Sequence, residues 1–225
     1  MSFFVCGDTH CDIDIQKLTS RCFDAKNLNK SDYVLVCGDF GCVWDGGKSD
    51  KYMQRWYDKK PWTTLFVDGN HENHDLLGKY PLVQWNGGLV HKISDSIIHL
   101  TRGQVYTIND RKVFTFGGAS SHDVEWRTAG VNWWYKEMPS VEEFSQAKKN
   151  LSTVDNKVDY VFTHCASSKT QNEISCMYKT DRLTEFFDEI ENELSFKHWF
   201  FGHYHRDFEI DDRHTVVYRR VIQLW

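Results

Sequence analysis

Short apolar runs alternate with polar loops along much of the chain. Runs of about five residues that are rich in β-branched and aromatic side chains, and that end abruptly at glycine or histidine, are typical of buried strands. We therefore expect strands over Ser2–Cys6, Tyr33–Cys37, Thr64–Gly69, Tyr160–His164 and Trp199–His205.

Helical patterns separate several of these runs. Ser140 and Glu143 have the spacing of a capping box, in which the two residues satisfy each other's backbone N–H groups at the start of a helix. Near the end of the chain, apolar residues recur at helical spacing with acidic residues on the opposite face. We expect helices over Ile13–Ala25, Ser49–Lys59, Ser140–Val154 and Asp181–Leu194.

The middle and the end of the chain have an antiparallel pattern. Three adjacent strand-like runs, with a tight turn at Asn109-Asp110, predict a meander over Ile97–Leu100, Gln104–Ile108 and Lys112–Phe116. A further hairpin is expected within Phe208–Leu224, around Asp211-Asp212. Alternating β/α units followed by antiparallel strands indicate a mixed α/β domain with more than one sheet. Because no linker or repeat interrupts the chain, we expect one domain over residues 1–225.

Composition and charge exclude several classes of protein. The 225 residues are 40% hydrophobic and 26% charged, which is an ordinary globular balance. The amino terminus lacks a signal-peptide pattern, and no stretch approaches the roughly 18 apolar residues of a membrane span. We therefore expect a soluble, cytoplasmic protein without a membrane partner. The net charge of −5 argues against a face for duplex nucleic acid, and the oligomeric state stays open.

The seven cysteines do not indicate a metal site or a disulfide framework. No C-x-x-C pair occurs, and nothing in the sequence indicates secretion. Cys6, Cys37 and Cys165 lie in or beside apolar runs, where a free thiol packs as a small hydrophobic group. We expect these three side chains to be buried.

Polar side chains follow five of the predicted strands at the point where each strand ends. The carboxyl ends of strands in α/β sheets form a common rim where ligands bind, so these side chains should converge. A mixed set of nitrogen and oxygen donors suits Mn²⁺, Fe or Zn²⁺ better than Mg²⁺ or Ca²⁺. With His71 set apart, the seven remaining donors are about right for two ions. These residues are Asp8, His10, Asp39, Asn70, His71, His164, His203 and His205.

The order of these motifs resembles that of a known family. Gly7–His10, Gly38–Asp39, Gly69–Glu72, a single strand-end His164 and Gly202–His205 are similar to the motifs of the calcineurin-like metallophosphoesterase superfamily. More loosely, the chain resembles the compact bacterial and phage-encoded members. The resemblance implies a four-layer sandwich in which two mixed β-sheets are flanked by α-helices.

The resemblance also implies a reaction and a role for each site residue. The activity would be hydrolysis of phosphomonoesters or phosphodiesters, nucleotide-derived ones included, by metal-activated water. The cofactors would be two divalent ions, Mn²⁺ first and Fe, Zn²⁺ or Ni²⁺ as alternatives. His71 would assist the leaving group. By the same resemblance, Asp8, His10 and His205 would hold the first metal, Asp39 would bridge both, and Asn70, His164 and His203 would complete the second.

The second motif departs from the phosphoprotein phosphatases of this superfamily. They continue it as GD-x-x-D-R-G, whereas this chain reads GDFGCVW from Gly38, without the aspartate and the arginine. We expect replacements in the irregular segment Gly117–Pro139, because long loops in compact domains are usually functional. Arg127 is the first candidate to bind the phosphate and His122 the second, and Trp133 or Trp134 could stack on a base or aryl group. The alternative is a structural insertion with buried tryptophans.

Two other functions stay open from the sequence. One is a phosphoprotein phosphatase, which the altered second motif disfavours. The other is a non-catalytic metal-binding scaffold of the same fold, which the complete set of ligand types and His71 disfavour.

Overall fold

Two mixed sheets form the centre of the molecule in a computed structural model that describes residues 1–225. The first sheet has seven strands, in the spatial order β13 (Ile222–Gln223), β1 (Phe3–Cys6), β2 (Tyr33–Cys37), β3 (Thr63–Val67), β6 (Ile97–Leu100), β5 (Gly88–Lys92) and β4 (Leu82–Trp85). The second has six, in the order β11 (Phe208–Glu209), β12 (His214–Val216), β10 (His198–Phe201), β9 (Tyr160–Thr163), β8 (Arg111–Phe116) and β7 (Gln104–Ile108).

Five α-helices and three short 3₁₀ turns connect the strands. The capping box of Ser140 and Glu143 is present and begins the third helix, which confirms that prediction. No helix has the length and apolar character needed to cross a membrane. The helices are α1 (Lys48–Asp58), α2 (His74–Leu77), α3 (Val141–Ser152), α4 (Ser168–Ile174) and α5 (Arg182–Glu193), and the 3₁₀ turns are Ile15–Leu18, Val124–Trp126 and Tyr135–Glu137.

Three apolar clusters show how the layers pack. One cluster lies between the sheets and joins side chains of both, among them Leu35 and Phe162. On the outer face of the first sheet, Met53 and Tyr57 of α1 are buried. Helix α5 covers the outer face of the second sheet with Phe187. The order helix, sheet, sheet, helix confirms the expected four-layer α/β sandwich. The three cysteines expected to be buried are buried: Cys6, Cys37 and Cys165.

The five strand-end motifs follow observed strands, but the first predicted helix is wrong. Ile13–Ala25 contains only one 3₁₀ turn, Ile15–Leu18, and otherwise forms turns and bends. The reason is tertiary, because Lys17 points into the interior and donates to the backbone carbonyls of Gly7 and Asp8. These hydrogen bonds attach the segment to the loop after β1, a tertiary contact that the apolar pattern of the segment does not predict.

The predicted meander is also wrong in part, since its three strands belong to different sheets. β7 and β8 pair as a hairpin around Asn109-Asp110, as expected. β6 instead pairs in parallel with β3 and antiparallel with β5, and all four of its residues are buried. A strand that is buried on both faces is stable in a sheet interior rather than in a surface meander.

Two hairpins complete the comparison of predicted and observed strands. The hairpin of β11 and β12 around Asp211-Asp212 is confirmed. The hairpin of β4 and β5 was not predicted, although Asn86-Gly87 at its turn is a strong hairpin signal.

A buried charged cluster fixes the chain directly after β3. Arg102 donates from Nε and Nη2 to Oδ2 of Asp68 at 2.9 and 2.6 Å, and Nε2 of His99 lies 3.1 Å from Asp68 Oδ1. Together they hold the pKa of Asp68 well below its usual value despite burial. Nδ1 of His74 lies 3.7 Å from Asp68, and its buried Nε2 has no hydrogen-bond partner.

His74 should make the stability of the protein depend on pH. Burial lowers its pKa to about 3 from the usual 6.5, against the raising effect of Asp68. As the pH falls below 6.5, the unfolded chain therefore binds a proton at His74 that the folded chain does not. We expect this difference to reduce the free energy of unfolding by about 1 kcal/mol between pH 6 and pH 5.

Urea unfolding of metal-free wild type and His74→Gln at these two pH values measures the effect. Both proteins keep the other histidines, so the difference between their pH dependences isolates His74. The variant should lose less stability on acidification than the wild type. Equal losses would show that His74 does not stay neutral in the folded protein.

Candidate metal centre

The candidate site lies where the carboxyl ends of five strands meet. Asp8 and His10 follow β1, Asp39 follows β2, and Asn70 and His71 follow β3. On the second sheet, His164 follows β9, and His203 and His205 follow β10. The fold thus brings the ends of the inner strands of both sheets to one edge, as the sequence led us to expect.

Asp39 is the centre of this arrangement. Its Oδ2 lies 3.2 Å from His10 Nε2, and its Oδ1 lies 3.4 Å from His164 Nε2. Two groups of potential ligand atoms, in which all atoms lie within 4.8 Å of one another, share only Asp39. The first group contains His10, Asp39 and His71, and the second contains Asp8, Asp39 and His164.

The other predicted ligands surround these two groups. Oδ1 of Asn70 lies 3.2 Å from Nε2 of His164. Nε2 of His205 lies 3.8 Å from Oδ2 of Asp8. The ring of His203 packs edge-on against that of His164, with the ring centroids 4.9 Å apart. All seven candidate ligands and His71 are therefore close together.

His71 lies close enough to the candidate ligands to be a metal ligand itself, although the resemblance implies that it assists the leaving group. It belongs to the first group of ligand atoms, and its backbone N–H donates to Oδ1 of Asp39 at 2.7 Å. Its imidazole hydrogen-bonds only to Arg127, whose Nη2 lies 3.4 Å from Nε2. His71 is therefore placed to act either as a metal ligand or as a proton donor. The metal content of a variant without this imidazole separates the two roles.

The backbone of several candidate ligands is strained. His10, Asp39, His203 and His205 have φ angles of 41°, 48°, 65° and 50°, in the left-handed region that non-glycine residues rarely adopt. Such strain costs of order 1 kcal/mol per residue and persists where tertiary contacts outweigh it, often at functional sites. Here the turn after β2 accepts hydrogen bonds from the turn after β1, from Thr9 and His10 to Asp39 O.

Two glycines make room for the neighbouring ligands. A Cβ on Gly38, which has a φ of +88°, would lie 2.0 Å from Nδ1 of His164. A Cβ on Gly69 would lie 2.1 Å from Oδ1 of Asp39. The glycine before each aspartate or asparagine of these motifs is therefore a packing requirement of the site.

The charges of the site are unbalanced without a cation. Oδ2 of Asp8 is buried and has no hydrogen-bond partner. Burial, together with the neighbouring Asp39, raises the pKa of Asp8 to about 6, against the lowering effect of His164. Burial would lower the pKa of His164, but Asp39 and Asp8 together raise it to about 9. Bound divalent cations would balance the charge of these carboxylates in place of a protonated His164. The residues present therefore fit a metal centre.

Residues outside the predicted set orient His10. Nδ1 of His10 lies 2.8 Å from Oδ2 of Asp14, and the hydroxyl of Tyr218 donates to the other Asp14 oxygen at 2.8 Å. The ring of Tyr218 also stacks on that of His205. A carboxylate bound to the far nitrogen of a histidine fixes the tautomer that leaves the near nitrogen free for a metal. The spacing of four residues from His10 to Asp14 was the one available sequence signal.

A second set of unpredicted residues orients the ligands of the other group. Nδ1 of His164 lies 2.8 Å from the carbonyl oxygen of Cys37, which leaves Nε2 facing Asp39. The side-chain amide of Asn70 donates to Ser121, whose hydroxyl donates to Glu137 at 2.7 Å. Because the amide nitrogen is thus engaged, Asn70 turns its oxygen towards His164.

The segment Gly117–Pro139 covers two sides of the site. Arg127 reaches His71, and its Nε pairs with Asp123 at 2.7 Å rather than with the nearby Glu125. The ring of His122 lies 5.9 Å from that of His203. The structure therefore places both candidate substrate residues beside predicted ligands.

Trp133 and Trp134 of this segment pack against other aromatic side chains of the protein. Trp134 is buried and packs edge-on against Trp44, so the expectation that it stacks on a substrate is wrong. Trp133 is half-buried and packs against Tyr135. These contacts agree with the structural alternative for the two tryptophans.

The family model of the calcineurin-like phosphoesterases matches residues 1–207 of the chain. The matched range contains every predicted ligand, whereas Tyr218 lies outside it. A search of curated proteins found no match.

Asp39→Asn should reduce the content of both metals, because Asp39 is the only residue shared by the two groups. Asn keeps an oxygen for the His71 amide but removes the charge and one strong ligand oxygen. Asp14→Asn is the matched control, since Asp14 contacts His10 and Tyr218 on the side of the first ion only, and the change should weaken that ion by about 10–100-fold. Elemental analysis after dialysis in limiting Mn²⁺ measures both proteins. Two full equivalents in Asp39→Asn would contradict the bridging role.

Proposed function

Because the chain belongs to the calcineurin-like phosphoesterase family, we propose that it is a dinuclear-metal hydrolase of phosphomonoesters or phosphodiesters. The observation that supports this proposal most directly is the pair of ligand groups joined at Asp39, beside a buried Asp8 oxygen without a partner. Mn²⁺ is our first choice of metal, with Fe, Zn²⁺ or Ni²⁺ as alternatives, because the donors mix imidazole nitrogen with carboxylate and amide oxygen.

Each residue of the site has a defined part in this proposal. Asp8, His10 and His205 would hold the first ion, Asn70, His164 and His203 the second, and Asp39 both. When bound, two such ions lower the pKa of a shared water and neutralise the phosphate oxygens. The side chains of Asp14, Ser121 and Glu137 keep the ligand atoms in place before substrate arrives.

Arg127 and His71 would act together on the substrate. Without substrate, an Arg127 N–H points at Nε2 of His71, so this nitrogen accepts and carries no proton. Burial lowers the pKa of His71, and Arg127 lowers it further, against the raising effect of Asp39. A phosphate group is a better partner for the planar guanidinium, which can bind two oxygens at once. Its arrival would release Nε2 from Arg127. The ring proton, which the neutral imidazole then carries on Nδ1, would have to pass through solvent to Nε2 before His71 donates it to the leaving oxygen.

A phosphoprotein substrate and a non-catalytic scaffold are the alternatives. The aspartate and arginine of the phosphoprotein phosphatases have no equivalent directly after Asp39, where Phe40 is buried and stacks on Phe66. A scaffold would require the metal site without turnover. Metal content measured together with hydrolysis separates a scaffold from an enzyme.

The central test is hydrolysis of p-nitrophenyl phosphate and bis(p-nitrophenyl) phosphate by protein loaded with Mn²⁺. Turnover should need the metal and should be lost with a chelator. His71→Ala should keep its metal and lose about 10²–10⁴-fold in kcat on an alkyl phosphate, the range for a lost general acid. The loss should be smaller for nitrophenyl esters, whose leaving group needs less protonation. Equal losses would contradict proton donation, and loss of metal would make His71 a ligand.

Arg127→Ala should lower kcat/KM at least about tenfold, the effect of roughly one charge-assisted hydrogen bond to the phosphate. Lys136→Ala is the matched control, because Lys136 is an exposed cation of the same segment that pairs with Asp75. Both variants remove one positive charge, so a general electrostatic effect would appear in both. Wild-type kcat/KM in metal-replete Arg127→Ala would mean that the pair with Asp123 is the only role of this side chain.

A further inference from the structure

A pocket of about 360 Å³ opens beside the metal centre, next to His10 and His71. The lining combines these two histidines with residues of the turns after β1 and β2 and with Ser49 and Asp50 at the start of α1. His71 is the residue that we expect to face the leaving oxygen. The pocket is therefore placed to receive the leaving group, and this inference rests on the proposed function.

The lining of this pocket combines an aromatic ring with carboxylates. The half-buried indole of Trp44 forms part of the wall, held edge-on by Trp134. Asp12 and Asp45 line the pocket and are exposed to solvent. The third carboxylate, Asp50, is already satisfied, because it accepts three backbone N–H groups, those of Trp44, Asp45 and Gly46.

No lysine or arginine lines this pocket. A leaving group with a second phosphate or a carboxylate would therefore meet like charge without a compensating cation. A leaving group with an ammonium would meet two carboxylates and the face or edge of an indole. Aromatic rings attract cations through their quadrupole, and tryptophan does so most strongly. Arg127 lies at His71 and outside the pocket lining. The phosphate end of a substrate would therefore meet a positive charge, and the leaving-group end would meet negative charge.

We propose that this pocket selects phosphate esters whose leaving alcohol bears an ammonium group. The volume suits a small leaving group rather than a long chain. The same chemistry occurs in small amino-alcohol phosphates and in a phosphoserine peptide with an adjacent lysine. The phosphate end would be held at the metals and Arg127, and the ammonium between Trp44 and the exposed carboxylates of Asp12 and Asp45.

A matched pair of substrates tests the charge alone. Phosphocholine and 3,3-dimethylbutyl phosphate have the same shape, but only phosphocholine carries the positive charge. We expect kcat/KM of the Mn²⁺-loaded enzyme to be about tenfold higher for phosphocholine, given a cation–π contact and two partly exposed carboxylates. In the double variant Asp12→Asn, Asp45→Asn this ratio should fall to about threefold or less. Asn at position 45 keeps the acceptor that Gly47 N–H uses.

Asp110→Asn is the control, since it removes an exposed carboxylate at the distant β7–β8 turn, where its φ of 61° also suits asparagine. The ratio should be that of the wild type in this variant. Equal kcat/KM for the two esters in wild type, or an unchanged ratio in the double variant, would overturn the proposal. A preference for the lysine-containing phosphoserine peptide over its alanine counterpart, larger than that for phosphocholine, would assign the same pocket to peptides.

Failure of the proposed function would look different from failure of this inference. If neither of the two esters, nor p-nitrophenyl phosphate, nor bis(p-nitrophenyl) phosphate is hydrolysed, the protein is not the proposed hydrolase. Calorimetric titration with choline and with 3,3-dimethylbutanol then tests the pocket without turnover. Choline should bind more tightly than the neutral alcohol, and the double aspartate variant should lose that difference. Equal binding of the two alcohols would overturn the ammonium selectivity.

Discussion

Two buried carboxylates, Asp8 and Asp39, set the central constraint on this structure. Their charges are close together in an interior that penalises unpaired ions, and the fold supplies no arginine or lysine between them. His164 takes a positive charge instead, and one oxygen of Asp8 stays without a partner. The strands, turns and histidines around the two aspartates form an arrangement that divalent cations would complete.

This constraint accounts for the strained turns at the strand ends. Four candidate ligands adopt positive φ angles. Gly38 and Gly69 have no side chain, which leaves space for the side chains of His164 and Asp39. The parallel core of the first sheet and the apolar layer between the sheets hold these turns in place. The strain is therefore supported by packing at a distance from the site, which keeps the donor atoms positioned before any ligand binds.

The surroundings of the site are asymmetric. On one side, the segment Gly117–Pro139 brings Arg127 to His71 and His122 to His203. Next to His71, the pocket lined by Trp44, Asp12 and Asp45 has no lysine or arginine. An anion and a cation are thus favoured at different places around one imidazole. This asymmetry gives a physical basis for orienting a substrate, because an ester bound in reverse would place each end against like charge.

The sequence by itself determined five strands, the polar residues in the loops after them and the helices with clear caps and periodicity. These features can be recognised locally, since an apolar run and a capping box are patterns of residues close together in the chain. The sequence placed two strand ends too late, at Gly69 and His205, whereas β3 ends at Val67 and β10 at Phe201. The tertiary structure alone decided that Ile13–Ala25 is not a helix, that β6 leaves the predicted meander, and that Ser121 and Glu137 orient Asn70. Those outcomes depend on hydrogen bonds between residues far apart in the chain or on which sheet buries a strand, and periodicity contains no information about such partners.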